Sequence, residues 1–169
     1  MPLNPINSKP FNFKIFPITS FIDLSKVYLY GEFKIGRVND DGSIVDLDNE
    51  DDVGAIQMPS STFIKNLTVL INGREVYDSN QLYSYKAYFD VELSYPTTVK
   101  DSFLTCTGYH RDASNQNDLT KGGLNKRKKM FASNNTVQFK TKLNADLFNQ
   151  DLYLINNCEV SFVLVYFLP

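Results

Sequence analysis

Phe63-Ile64-Lys65-Asn66-Leu67-Thr68-Val69-Leu70-Ile71-Asn72-Gly73-Arg74-Glu75-Val76-Tyr77 is the stretch that decides the fold. Asn72-Gly73 is the favoured two-residue hairpin turn, because both positions accept φ > 0. A turn there sets Ile71 opposite Arg74 and Val69 opposite Val76. Leu67, Val69, Ile71 and Val76 then share one face, and burying that face pins the register. The same period of two recurs outward from the hairpin. From Lys26 to Gly36, Val27, Leu29, Phe33 and Ile35 alternate with Tyr28, Tyr30, Glu32 and Lys34. Phe11, Phe13 and Ile15 form a short first strand. Val137, Phe139, Thr141 and Leu143 form a late strand, and Glu159 to Leu168 the last.

Two short helices are expected between strands. Leu82, Tyr85, Phe89 and Leu93 recur at helical spacing after a Ser79 or Asn80 cap, and Tyr95-Pro96 ends the run. Thr98-Val99-Lys100-Asp101 resembles a capping box opening a second helix, with Val99, Phe103 and Cys106 as its apolar stripe and Gly108 at its end. Helices and strands do not alternate, which argues against a parallel βαβ sheet. The expected fold is all-β in the main: an antiparallel jelly-roll sandwich with two short helices in inter-strand loops. Residues 1–10, with Pro2, Pro5 and Pro10, read as a flexible arm, and 11–169 as one jelly-roll domain.

Composition narrows the function. Phe 13 and Tyr 10 in a chain of 169 residues favour pleated, half-buried surfaces. A net charge of −2 gives no global attraction to nucleic acid or anionic membranes. The N-terminus lacks a signal peptide pattern, and no apolar run reaches the ~20 residues of a membrane span. Cys106 and Cys158 make no disulfide framework and read as two buried thiols in a reducing compartment. His110, the one histidine, has no metal-ligand spacing around it and reads as a polar loop residue. The acidic run Asp46 to Asp52 lacks calcium-loop spacing and reads as a solvated loop. Gly122-Gly123-Leu124 lacks the Lys-Ser/Thr of a phosphate loop. No cofactor, metal or catalytic constellation is expected.

Two features suggest contacts. Lys121, Lys126, Arg127, Lys128 and Lys129 form the densest charge cluster, suited to an acidic neighbouring subunit or to weak nucleic-acid contact. The last strand is apolar on both sides, so Val163, Val165 and Phe167 are expected to form a patch that a partner or second domain covers.

Several segments resemble, in order, the first jelly roll of the double jelly-roll major capsid proteins of Polinton (Maverick) elements and adintoviruses, and related proteins in animal genomes. They are Phe21-Ile22-Asp23-Leu24, Val69-Leu70-Ile71-Asn72-Gly73, Leu82-Tyr83-Ser84-Tyr85-Lys86-Ala87-Tyr88, Glu92-Leu93-Ser94-Tyr95, Gly123-Leu124-Asn125-Lys126-Arg127 and Leu147-Phe148-Asn149-Gln150. The resemblance spans about residues 21–155 and implies a structural virion protein. Such a protein self-assembles, usually as trimeric capsomers of an icosahedral shell, and has no catalytic residues. This chain would be its first half if the parent chain continues. Inside a host cell it would be cytoplasmic or nuclear. The second reading is a host-encoded jelly-roll binding module, which clustered exposed aromatics on one loop end would favour.

Overall fold

The structure is a computed structural model and describes residues 10–48, 51–113 and 120–167. Most of the N-terminal arm, Asn49, Glu50 and Leu168 therefore lie outside the described residues. The chain is mainly β. Its strands are β1 (Phe11–Ile15), β2 (Tyr28–Phe33), β3 (Gly36–Val38), β4 (Ile44–Asp46), β5 (Ile64–Ile71), β6 (Arg74–Asp78), β7 (Val137–Lys142) and β8 (Val160–Tyr166). Its helices are α1 (Pro59–Thr62), α2 (Tyr83–Ser94), α3 (Thr97–Lys100) and α4 (Gly122–Phe131). The strands form a four-stranded sheet in the order β1-β8-β5-β6 and two pairs, β2-β7 and β3-β4.

The chain divides into two compact units made of interleaved segments. The first takes residues up to Tyr28, Ser61–Leu93 and Lys142 onward; the second takes Leu29–Ser60 and Ser94–Thr141.

The first unit holds the four-stranded antiparallel sheet. Its buried side is Leu67 and Val69 on β5 and Val160, Phe162 and Leu164 on β8, backed by Tyr83, Ala87 and Val91 of α2 and by Phe148. The Asn72-Gly73 turn forms as expected, with φ of 50° and 76°. Asn72 also ties the turn to β8: its N–H donates to the Glu159 carbonyl and its Oδ1 accepts from the Glu159 N–H. One pairing differs from expectation. Ile71 opposes Arg74 and Leu70 opposes Glu75, but Val69 opposes Tyr77 because the register shifts after Leu70. Val76 is the extra residue of that bulge and is half exposed, at 50%. The bulge turns Tyr77 rather than Val76 toward the core face.

The second unit is built around Phe139 of β7, which stacks near Phe33 and Phe131 at ring-centroid distances of 5.5 and 6.1 Å. Gly108 lies against this core with φ 82°; a Cβ there would sit 2.6 Å from Pro59 Cδ and 2.9 Å from the Phe139 ring. The expected second helix is split into α3 and a 3-10 turn over Phe103–Thr107, which Gly108 closes. Pro96 precedes α3, and the capping box with Asp101 does not form.

The two expected helices are an undercount, since the described residues hold four. α1 and above all α4 stand where no helix was assigned from the sequence. α4 has no continuous apolar stripe, so its pattern did not announce it. Its Lys and Arg are good helix formers, and tertiary contacts of Gly123, Arg127 and Phe131 anchor it. The thiols also differ from expectation: Cys158 is buried, but Cys106 is exposed, with its Sγ near the Phe103 carbonyl at 2.9 Å.

Candidate interaction surfaces

α2 buries the opposite side from the one its pattern suggested. Tyr83, Ala87 and Val91 face inward, while Leu82, Tyr85, Phe89 and Leu93 are 57%, 62%, 55% and 84% exposed. The physical reason lies in two residues. Tyr83 is fully buried, and its hydroxyl accepts the Asn144 N–H at 2.9 Å, which satisfies the one polar atom the ring carries inward. Ala87, one turn on, lets the helix backbone come close. Lys86 lies beside this face and pairs with Asp90 at 3.3 Å and Asp146 at 3.2 Å. The expected caps do other work: Ser79 Oγ donates to Asn66 Oδ1, and Asn80 and Gln81 take left-handed φ of 50° and 64° ahead of the helix.

A second apolar surface lies on two loops of the same unit. Ile22 and Leu154 exchange backbone hydrogen bonds of 3.0 and 2.8 Å, and the Asn157 N–H donates to the Ile18 carbonyl at 2.9 Å. The bridge is antiparallel and holds the two loops side by side. Phe16, Ile18, Phe21, Leu152, Tyr153 and Ile155 are 47–75% exposed. Pattern reading missed this surface, because the residues sit outside any periodic run and only the strap unites them.

The last strand is less bare than its sequence suggests. Val163 and Val165 are half-buried and Phe167 is 43% exposed. On the same face, Val163 lies between Asn12 and Thr68, and Val165 beside Asn66. The outer face is therefore a narrow apolar strip within polar neighbours.

The basic cluster does not act as one group. Arg127 is a buried structural residue, its side chain only 4% exposed. Its Nε donates to the Ala55 carbonyl at 2.8 Å, one terminal nitrogen donates to Gln57 Oε1 and the His110 carbonyl at 2.7 and 2.8 Å, and the other to Asp112 Oδ1 at 2.8 Å. Gln57 completes the clamp, donating to the His110 carbonyl and accepting the His110 N–H, each at 2.9 Å. Gly123 is what lets α4 reach this segment: a Cβ there would fall 1.9 Å from the His110 carbonyl oxygen. Lys128 pairs with Asp52 of the acidic run, whose Asp46 and Asp51 pair with Lys34 and Arg37. Lys121, Lys126 and Lys129 remain exposed.

Lys126 joins Asp101, Thr105, Tyr109, His110 and Arg111 around an open cleft of about 420 Å³. Burial, with the Lys126 and Arg127 charges alongside, holds the His110 imidazole below its ordinary value. Among the described residues no three His, Cys, Asp or Glu side chains come together as a metal site, and no helix is long and apolar enough to cross a membrane.

No protein-family profile matches the chain. No solved structure matches it either. The chain is similar to the uncharacterized protein F54H12.2 of Caenorhabditis elegans, with 32% identity over 146 residues. That alignment takes in 83% of this chain and 33% of the relative, so the chain spans about a third of the relative's length.

Proposed function

We propose that this chain is a structural, capsid-like subunit, a jelly roll whose work is association with copies of itself rather than catalysis. The observation that carries the reading is the outer side of α2. A helix with Tyr85, Phe89 and Leu93 in water, and Leu82 bare just ahead of it, is costly for a monomer and ordinary for a subunit interface. The sheet supports the jelly-roll part: β8, the last strand, is inserted between β1 and β5, the long-connection wiring of Greek-key sheets. The β5–β6 hairpin lies beside them in that sheet. The resemblance to Polinton and adintovirus capsid proteins supports the shell, with the virion as its place and a second jelly roll or further copies as its partners. Several of the resembling residues build the fold: Leu24, Tyr83, Ala87, Arg127 and Phe148 are buried. Leu82 and Tyr85, in the longest of those segments, are at the surface.

The test compares the chain with a Tyr85→Ser/Leu93→Ser variant, by light-scattering mass and by binding of a hydrophobic dye. The wild type is expected to associate and bind dye, and the variant to lose the association. A soluble, dye-negative wild-type monomer at the highest attainable concentration refutes the reading. A binding module is the second reading, and the strapped loops with Phe16, Phe21 and Tyr153 are the observation that favours it.

A further inference from the structure

We propose that the strapped loops, residues 16–22 and 152–157, are a second association surface, and that their occupant is the α2 ridge of another copy, bound head to tail. The inference rests on the reading of the chain as a self-associating subunit and adds which surface meets which. Its first support is area. The six loop side chains together expose the equivalent of nearly four whole residues, about 700 Å² at the ~150–250 Å² a large side chain can bury. The α2 ridge exposes about 500 Å² by the same measure. A standard interface takes roughly 800 Å² from each partner. The loop side chains alone supply most of that area, and the ridge supplies more than half of it.

The second support is preorganisation. Both surfaces hold their side chains on backbone already fixed by hydrogen bonds, one by a helix and the other by the Ile22–Leu154 bridge and the Asn157–Ile18 bond. Little ordering cost then opposes association.

The third support is shape. Two helix ridges that meet at the common crossing angle of about 50° touch mainly around the crossing. Against two chain segments lying side by side, a ridge of Leu82, Tyr85, Phe89 and Leu93 has contact along its length. Because the two surfaces differ and sit on one unit, their union is heterologous. The growing assembly then keeps one free surface of each kind, one at each end, after every step, so association continues until a ring closes or a lattice extends.

The experiment uses two variants of the full chain, Phe21→Ser/Tyr153→Ser in the loops and Phe89→Ser/Leu93→Ser on α2. All four residues are more than half exposed, so both variants keep the fold, which far-UV circular dichroism checks. Sedimentation velocity is expected to show each variant alone at the 19.3 kDa of a single chain. An equimolar mixture should give a one-to-one complex and nothing larger, because one intact loop surface and one intact ridge remain. If the loop variant associates as the wild type does while the α2 variant does not, the ridge pairs with itself; the inference fails and the assembly reading stands. No complex in the mixture of two monomeric variants also overturns it. A wild type that stays monomeric removes the assembly reading and this inference together.

Discussion

Replacing Arg127 with Ala should destabilise the second unit far more than any change at its neighbours in the basic cluster. The guanidinium makes four hydrogen bonds of 2.7–2.8 Å from a side chain that is 4% exposed. Summing four bonds to a charged donor overstates the loss, because truncation does not orphan every acceptor. The His110 carbonyl keeps Gln57 Nε2, Gln57 Oε1 keeps the His110 N–H, and Asp112, 24% exposed, can turn to water. The Ala55 carbonyl loses its bond from Nε, and a cavity replaces the stem. Breaking a buried pair costs about 3–5 kcal/mol, and the surviving bonds place this case near the lower end, about 3 kcal/mol. At roughly 2–4 °C per kcal/mol for a chain of this size, Tm should fall by about 10 °C. Arg127→Lys should lose about 2 kcal/mol, since a point charge cannot serve acceptors on several sides. Lys126→Ala should stay within about 0.5 kcal/mol of wild type. Thermal denaturation gives the magnitudes, and hydrogen exchange should show the loss around residues 54–57 and 109–112. An Arg127→Ala variant that melts with the wild type would refute the clamp.

Gly123→Ala should disrupt the same region, because its Cβ would collide with the His110 carbonyl oxygen; a wild-type melting curve for that variant would show that α4 does not press on this segment. Val69→Asp should cost several kcal/mol by burying an unpaired charge, while Val76→Asp, on the half-exposed bulge, should be nearly neutral; equal losses in urea titrations would place the bulge wrongly. Burial pushes the Tyr166 hydroxyl up to about 12 and Tyr83 further, against an ordinary value of 10.0. Both phenols bind their proton more tightly folded than unfolded, so their contribution is whole below about pH 10 and is lost as pH rises toward 12. Absorbance at alkaline pH should show late-titrating tyrosines whose ionisation coincides with unfolding, and titration of every tyrosine near 10 in the folded chain would contradict the burial.

The strands were legible because their signals are local. Period-two alternation in β5 and β8 and the Asn72-Gly73 turn need only a few residues to be read. The bulge at Val76 was not, since it depends on which side chain of β6 meets the core. α2 was legible as a helix but not in its orientation. It carries two stripes at helical spacing, Leu82-Tyr85-Phe89-Leu93 and Tyr83-Ala87-Val91. The larger loses to the one whose Tyr83 hydroxyl finds the Asn144 N–H and whose Ala87 permits close approach. The basic cluster looked like a single surface because charge is visible in sequence and partners are not. Arg127 finds Ala55 and Gln57 some seventy residues away, and Lys128 finds Asp52 at a similar separation. The strapped loops share this difficulty, since Ile22 meets Leu154, and Ile18 meets Asn157, through backbone bonds between distant segments.

Sedimentation equilibrium of the wild-type chain, from low micromolar concentration to its solubility limit, tests self-association most directly. The account predicts that the average mass rises reversibly from 19.3 kDa through discrete multiples of the chain. Discrete, reversible steps are what specific surfaces produce, as opposed to unbounded aggregation. A single 19.3 kDa species over the whole range would contradict the account.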